Sequence, residues 1–209
     1  METTYRPGSI LSTNTKTGCS INLPIAGHCT PTKNCSKTCY AKCGHTAMPS
    51  NKKKQVWVSE YLKGKDLTEL VNECKARTAV RLSGTGDLLE EHTKNIIRLA
   101  KACPDTMFWG MTRKLNIAKK LKGYKNIKVM VSVDSSSPKK TWDYKGALCY
   151  GPRLNTDTVP KDKRIITIFP YHFAGKVVDK TNSPLDSRDC PAIRHTVSGC
   201  LNCNRCWKW

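Results

Sequence analysis

The chain has 209 residues and a formal net charge of +20, from 36 Lys and Arg against 16 Asp and Glu. This length accommodates one full-sized hydrophobic core, so we expect a single domain over residues 1–209. The first residues are polar and no apolar stretch reaches bilayer-spanning length, so we expect a cytoplasmic protein with neither a secretory signal nor membrane contact. A positive field of this size attracts polyanions. Nucleic acid is therefore the expected partner, and a merely solubilising basic surface is the alternative.

Residues 1–63 form a cysteine-rich segment in which Gly, Pro, Thr, Ser and Asn are frequent, and they predict loops pinned by a metal. The segment contains the spacing Cys29-x5-Cys35-x3-Cys39-x3-Cys43, flanked by His28 and His45. Close spacing lets successive thiolates turn toward one metal centre, and a His can replace a Cys in a zinc site or a cluster. In a reducing compartment, thiols persist or bind metal, so we expect no disulfide framework. All four cysteines are therefore candidate metal ligands.

Residues 64–175 alternate predicted helices and strands. Apolar residues at i, i+3, i+4 and i+7 predict a helix from Leu67 to Cys74, and further helices are predicted over 88–102 and from Leu115 to Leu121. Short apolar runs predict strands at 79–82, 107–111, 127–133 and 164–169. This alternation predicts an α/β fold with right-handed crossovers and a parallel sheet. Four such strands with helices outside correspond to a partial (β/α) barrel.

The carboxyl ends of parallel strands are where such sheets bind ligands. Three polar residues that follow predicted strands are candidate catalytic contacts: Asp87, Arg113 and Asp134. Four more at the same ends are candidate cofactor contacts: Ser83, Gly84, Gly86 and Thr112. Several of these candidates also have a purely structural interpretation. Asp87 and Glu90 fit a helix capping box, the glycines fit a tight turn, Asp134 fits an ordinary turn, and Arg113 fits the general basic surface.

Residues 176–209 form a second cysteine-rich, metal-pinned segment with the spacing Cys190-x9-Cys200-x2-Cys203-x2-Cys206. The close triplet favours a [4Fe-4S] cluster over a zinc ribbon, which shows two Cys-x2-Cys pairs, and zinc is the alternative metal. One or two clusters are compatible with the eight cysteines, as is one site shared by both ends of the chain. Cys74 and Cys103 lie on apolar helix faces and are interpreted as core thiols. Cys149 fits either a core thiol or a ligand.

Four segments of the chain occur in a recognisable order: Asn34 to Ala41, Val80 to Asp87, Met107 to Arg113 and Cys200 to Trp207. This order resembles the phage protein family called gene product 88, and the resemblance covers most of residues 20–207. It implies a cysteine-rich phage or mobile-element protein in the cytoplasm of a host cell, and it includes Cys29, Cys35, Cys39, Cys200, Cys203 and Cys206. The family pattern SGDF is lengthened here to Ser83-Gly84-Thr85-Gly86-Asp87-Leu88.

Three functional hypotheses follow. The first is an iron–sulfur protein that binds or modifies nucleic acid, with radical SAM-like chemistry if only three thiols leave one iron open to SAM. The spacing Cys35-x3-Cys39-x3-Cys43 is one residue longer than the Cys-x3-Cys-x2-Cys of radical SAM enzymes. The second is a non-catalytic nucleic-acid-binding protein stabilised by metal, and the third is a basic interaction protein that targets a host protein. Tyr40, Trp207 and Trp209 are expected to shield a cluster or to stack on bases.

Overall fold

The computed structural model describes residues 5–154, 157–161, 164–170, 172–173, 176–177, 187–190, 198–203 and 205–209. Within these residues, the main sheet contains β1 (Ser12–Asn14), β2 (Gly18–Ser20), β3 (Ala79–Leu82), β4 (Met107–Thr112), β5 (Ile127–Val133), β6 (Leu148–Arg153) and β7 (Ile165–Pro170). A separate pair is formed by β8 (His172–Phe173) and β9 (Lys176–Val177). The α-helices are α1 (Lys33–Thr38), α2 (Pro49–Tyr61), α3 (Thr68–Lys75), α4 (His92–Ala102), α5 (Leu115–Leu121), α6 (Lys139–Trp142) and α7 (Cys200–Cys203). Two short 3-10 helices cover Tyr40–Lys42 and Gly44–Ala47.

The strand order of the main sheet follows the chain order from β1 to β7. β1 pairs with β2 in antiparallel fashion, and each later pair up to β6–β7 is parallel. The predicted α/β class with a parallel sheet is therefore confirmed. Because β2 to β7 run in the same direction, the loops that follow them meet at one edge, which we call the carboxyl edge.

One face of the sheet packs against the helices. Val80 and Phe108 lie opposite each other on β3 and β4, and both are fully buried. Leu70 of α3, Ile96 of α4 and Ile117 of α5 belong to the same apolar cluster. Since complete burial of each such side chain contributes about 1.5–3 kcal/mol, this layer holds the helices on the sheet.

The opposite face of the sheet, which we call the inner face, packs against the C-terminal segment. Side chains alternate between faces along a strand, so Trp109, Met130 and Cys149 point away from the helices. These three residues form one buried cluster with Cys206, and Trp207 packs against it. The second cysteine-rich segment therefore covers part of the inner face.

The prediction that residues 1–63 form loops was wrong for a large part of that segment. β1 and β2 belong to the main sheet, and α2 is a 13-residue helix. The helical period of α2 is weak because it carries three consecutive lysines and its buried residues include Gln55 and Ser59. β6 was also missed, since Gly151 and Pro152 interrupt its apolar pattern.

The helix predicted over 88–102 begins at His92, and the capping-box interpretation was wrong. The N-cap of α4 is Glu91, which makes no side-chain capping hydrogen bond. The Asp87 carboxylate instead accepts the N–H groups of Leu88 and Arg113. The loop after β3 is therefore organised around Asp87 and not around the start of the helix.

Candidate metal–sulfur site

Three cysteines of the N-terminal segment lie near one another at the carboxyl edge, and we call Cys29, Cys35 and Cys39 the N-terminal thiol group. The pKa of Cys29 is raised to about 12, first by burial and then by the nearby Asp87, Cys39 and Cys35, while Lys114 opposes the rise. Burial also raises the pKa of Cys35, and Cys39 adds to that rise. The three thiols are thus within electrostatic reach of one another, and metal binding there has to displace their protons.

A short chain of hydrogen bonds attaches this group to the sheet. Thr32, the N-cap of α1, accepts the N–H of Cys35 at 3.2 Å and donates its hydroxyl to Asp134 at 2.5 Å. Asn34 adds hydrogen bonds to Ser135 and Ser136, which follow Asp134. Helix α1, which carries Cys35, is therefore fixed to the end of β5, although Thr32 and Asp134 are 102 positions apart in the sequence.

Arg113 and Asp134 form an ion pair beside the N-terminal thiol group. Nη2 of Arg113 donates to Oδ2 of Asp134 at 2.9 Å and to the carbonyl oxygen of Gly151 at 2.8 Å. Asp134 is completely buried, and its Oδ1 accepts the N–H and the hydroxyl of Ser136. Arg113 also lowers the pKa of Cys35 through its charge and a hydrogen bond, in opposition to burial. It therefore places a positive charge next to this thiol.

Asp87 lies at the same edge, on the other side of Arg113. Its Oδ2 accepts the backbone N–H of Arg113 at 3.1 Å, and it is almost fully buried. Burial raises the pKa of Asp87, while hydrogen bonds from Thr112 and Arg113 oppose the rise. The three polar residues predicted to be catalytic contacts, Asp87, Arg113 and Asp134, are thus brought together around the N-terminal thiol group.

The predicted cofactor contacts Gly84 and Gly86 have a packing role in the described structure. A Cβ on Gly84 would lie 2.3 Å from Oδ1 of Asn22, and one on Gly86 would lie 2.3 Å from the carbonyl oxygen of Pro24. Gly86 also has a φ of +68°, which disfavours any other residue. These glycines let the loop after β3 pack directly on the loop that leads to Cys29.

The other two predicted cofactor contacts, Ser83 and Thr112, are buried and hydrogen-bonded to the protein itself. Ser83 has a φ of +50° and donates its hydroxyl to the carbonyl oxygen of Met111. The Thr112 hydroxyl accepts the N–H of Lys114 at 3.1 Å. Contact of these four residues with a cofactor stays a prediction.

Cys43 is not among the groups that shift the pKa of Cys29 or Cys35. It is exposed, and its thiol donates to the carbonyl oxygen of Tyr40 at 3.2 Å. His45 is also exposed and contacts the side-chain amide of Asn51. None of the interactions described for Cys43 or His45 reaches Cys29, Cys35 or Cys39.

His28 belongs to a buried polar cluster that the sequence did not reveal. Its Nε2 lies 2.7 Å from the hydroxyl of Ser59 on α2, and the same hydroxyl lies 3.3 Å from Nε2 of His92. His92 is fully buried, and burial lowers its pKa to about 4. The cluster fixes the residue before Cys29 to the helical layer. No spacing rule connects three residues this far apart in sequence.

The C-terminal cysteines converge on the inner face, and we call Cys190, Cys200, Cys203, Cys206 and Cys149 the C-terminal thiol group. Burial raises the pKa of Cys206, and the nearby Cys190, Cys200 and Cys149 add to the rise. The pKa of Cys200 is raised to about 11 by burial, and Cys190 and Cys203 contribute. Cys149, left open as core thiol or ligand, is completely buried within this group. All twelve cysteines of the chain are free thiols.

Two features of the backbone hold the C-terminal thiol group in place. The N–H of Cys200 donates to the carbonyl oxygen of Lys16, in the turn between β1 and β2, at 2.6 Å. The N–H of Cys190 donates to the carbonyl oxygen of Ile168 in β7 at 2.9 Å. The interactions described for the two thiol groups join cysteines within each group and not between them.

Two tryptophans flank Cys206. The ring of Trp207 lies 4.9 Å from that of Trp109 on the inner face. The indole N–H of Trp209 donates to the carbonyl oxygen of Cys206, and the ammonium group of Lys128 lies 5.3 Å from its ring. Tyr40, in contrast, is half exposed and donates its hydroxyl to the carbonyl oxygen of Gly84.

A family model described as gene product 88 matches residues 4–209. The chain belongs to the gene product 88 family. This confirms the resemblance that its cysteine and strand motifs suggested. Neither a curated protein nor a solved structure matches the chain significantly. The family assignment identifies no substrate, cofactor or partner.

Two further observations on this gene product 88 protein concern which of its cysteines could bind metal. Among the described residues, no three His, Cys, Asp or Glu side chains are arranged to hold a single metal ion. A four-iron cluster requires a wider arrangement, because each thiolate binds a separate iron. Cys74 and Cys103 lie in the helical core, which confirms their interpretation as core thiols.

Basic residues surround the carboxyl edge of this family member. α1 carries Lys33 and Lys37, and the start of α6 carries Lys139 and Lys140, all of them exposed. Because Asn34 of α1 contacts Ser135 and Ser136, both pairs lie near the N-terminal thiol group. None of the described helices has the length and apolar character needed to cross a membrane.

Proposed function

We propose that this protein is an iron–sulfur protein that binds nucleic acid and modifies it by radical SAM-like chemistry. The observation that carries the proposal is the N-terminal thiol group, in which three thiols meet at the carboxyl edge while the exposed thiol of Cys43 donates to Tyr40. Three thiolates bind three irons of a [4Fe-4S] cluster and leave the fourth open to a ligand. Such a cluster supplies one-electron reduction of bound SAM.

The surrounding residues fit a cluster at this position. Thiolate ligands are negatively charged, and Arg113 and Lys114 place positive charge beside Cys35 and Cys29. Asp134 holds both Arg113 and Thr32, so it orients the guanidinium group and the start of α1, which carries Cys35, together. Asp87 is a buried carboxyl group with a raised pKa, which suits it to hold or transfer a proton beside the site.

The C-terminal thiol group is proposed as a second, closed metal–sulfur site. Cys190, Cys200, Cys203 and Cys206 supply four thiols, the number that closes a [4Fe-4S] cluster. Trp207 and Trp209 pack beside Cys206, so they are placed to exclude water and oxygen.

We infer that the sheet is curved into a partial (β/α) barrel around this second site. In a flat sheet, β2 and β7 would lie five strand spacings apart, or about 24 Å. Cys200 is bonded next to β2 and Cys190 next to β7, yet Cys190 is near enough to raise the pKa of Cys200. Curvature of the sheet brings these two ends toward each other.

Nucleic acid is proposed to bind over the carboxyl edge. Lys33, Lys37, Lys139 and Lys140 are exposed around the N-terminal thiol group and can neutralise phosphates. Tyr40 is half exposed beside them and offers a ring for stacking on an unpaired base. The polyanion would then lie across the site at which the cluster is open.

Metal analysis of protein purified without oxygen tests the cluster assignment. We expect about eight irons with matching acid-labile sulfide, and an EPR signal that changes on addition of SAM. Cys35→Ser should lose about half of the iron and the SAM response, because it removes one thiolate of the open cluster. Cys43→Ser is the matched control and should retain both. Zinc without sulfide would refute the iron–sulfur assignment and favour a metal-stabilised binding protein.

Salt-dependent binding to a single-stranded oligonucleotide tests the partner. Removing two phosphate contacts reduces the slope of log K against log salt by about 1.4. We expect this reduction for the double variant Lys33→Gln, Lys37→Gln. The control is Lys75→Gln, Lys101→Gln, whose lysines are exposed at the opposite edge, where α3 and α4 lead into β3 and β4. If the slope falls equally in both double variants, nucleic acid binds at a place other than the carboxyl edge. If the wild type shows no salt-dependent affinity for the oligonucleotide, a host protein is favoured as the partner.

A further inference from the structure

Three buried polar atoms on or near the inner face find no hydrogen-bond partner among the described residues. They are Nε of Arg81, Nε1 of Trp109 and Oγ1 of Thr167. Trp109 is 1% exposed and Thr167 is 0% exposed, so water does not satisfy them at the surface. A buried group that makes no hydrogen bond has lost its bonds to water without replacement, so three such groups together indicate a missing acceptor.

The strand register places two of these groups side by side and the third opposite a thiol. Arg81 of β3 lies opposite Trp109 of β4, and the guanidinium carbon of Arg81 is 5.4 Å from the centre of the Trp109 ring. Thr167 of β7 lies opposite Cys149 of β6. Paired residues on neighbouring strands share a face, so Thr167 is on the same side as Cys149, and Arg81 is on the same side as Trp109.

The same face carries the C-terminal thiol group. Trp109 and Cys149 belong to one buried cluster with Cys206, and Cys200 packs against it. Arg81 is near enough to lower the pKa values of Cys149, Cys200 and Cys206 against the effect of burial. The three unsatisfied groups can all donate a hydrogen bond, and the groups they adjoin are thiols.

We propose that Arg81, Trp109 and Thr167 are the hydrogen-bond donors to a metal–sulfur group held by the C-terminal thiol group. The inference rests on the proposed function, because it assumes that these thiols bind metal. Metal-bound thiolates and the sulfides of a cluster are acceptors with negative charge, and a [4Fe-4S]2+ cluster with four thiolates carries a net charge of about −2. The donors and the guanidinium charge stabilise that negative charge, and they stabilise the reduced cluster more because it is more negative. Their presence therefore raises the reduction potential.

A redox titration monitored by EPR tests this assignment in a Cys35→Ser background, where the second cluster is the one that remains. Trp109→Phe removes the indole N–H and keeps a ring against Trp207, and Thr167→Val removes the hydroxyl at nearly constant volume. We expect both to lower the midpoint potential. Arg81→Met should lower it further, by at least tenfold in the one-electron equilibrium or about 59 mV, and Arg81→Lys should restore part of the loss. Iron and sulfide contents should stay close to those of the parent protein.

Trp142→Phe is the matched control, since Trp142 packs against the apolar cluster on the helical face. If the variants at Trp109, Thr167 and Arg81 have the same midpoint potential as the control, the donor assignment is overturned. The assignment of the cluster itself would then still stand. If the group holds zinc instead, the readout is retention of zinc against a chelator. Faster loss in these variants than in Trp142→Phe supports the assignment, and equal loss overturns it. Absence of any metal from the C-terminal thiol group in the wild type would overturn this inference and the proposed second site together.

Discussion

Replacement of Asp134 by Asn tests how the N-terminal thiol group is attached to the sheet. Asp134 is completely buried, and the side chain of its partner Arg113 is only 12% exposed. Asn has the same shape but no charge, and its amide nitrogen must face hydrogen-bond donors. One carboxylate oxygen accepts from Arg113 and Thr32, and the other accepts from Ser136.

The expected loss of unfolding free energy follows from that geometry. Removal of one partner from a buried ion pair costs about 3–5 kcal/mol. Arg113 retains the carbonyl oxygens of Ser132 and Gly151 as acceptors, so we expect a value at the lower end, about 3 kcal/mol. The start of α1, which carries Cys35, should loosen at the same time, because Asp134 accepts the hydroxyl of its N-cap Thr32.

Urea unfolding at pH 7, followed by circular dichroism on protein of measured metal content, gives the free energy directly. Glu90→Gln is the control, since its ion pair with Lys120 is exposed and should contribute nothing resolvable. The double variant Arg113→Met, Asp134→Asn should be more stable than the two single losses predict, with a coupling above about 1 kcal/mol. The reasoning is refuted if Asp134→Asn is as stable as Glu90→Gln, or if the two substitutions are additive.

Three further predictions address other parts of the molecule. His92 has a pKa of about 4 in the folded protein against 6.5 for the free side chain, so protonation of His92 stabilises the unfolded chain relative to the folded protein. Above pH 6.5 His92 should not affect the free energy of unfolding, which should then fall by up to about 3 kcal/mol toward pH 4. In His92→Gln, the unfolding free energy from urea titrations should depend less on pH in this range. Gly86→Ala should lower the free energy of unfolding more than Gly27→Ala. Both glycines have positive φ, but of the two only Gly86 has backbone atoms near its Cβ position, at 2.3 Å. Gly27→Ala should cost about 1–2 kcal/mol, and equal losses in the two variants would rule out close approach as the cause. Trp207→Ala should lose the iron of the proposed cluster faster in air than the wild type does. An unchanged lifetime of the cluster in air would contradict the proposal that Trp207 shields it.

The carboxyl-edge residues could be predicted from the sequence because one rule connects them. Asp87, Arg113 and Asp134 each follow an apolar strand, and parallel strands bring their ends to one edge. The rule needs only the strand positions, and the mainly apolar runs at Ala79–Leu82 and Ile127–Val133 marked two of them correctly. The part of the site that follows strand order was therefore predictable.

Contacts between distant loops were not predictable in the same way. Thr32 meets Asp134 because of loop conformation, and no periodicity encodes that pairing. Arg81 left a usable signal, since a charged residue between Val80 and Leu82 implies that the second face of β3 is polar or occupied. The sequence could not show that Trp109 and Thr167 share this environment, because that depends on strand register.

The composition of the C-terminal thiol group sets an order of assembly during synthesis. Its surroundings combine the turn at Lys16, Cys149 in the middle of the chain, and Cys200 and Cys206. Residues 5–170 contain every strand of the main sheet, so the sheet has all of its strands before the last thiols leave the ribosome. The metal of the proposed second site would therefore be inserted late, and a translation product that stops before Cys206 could build the sheet yet would lack one proposed ligand. Under that proposal, metal content would report whether the chains in a preparation extend past Cys206.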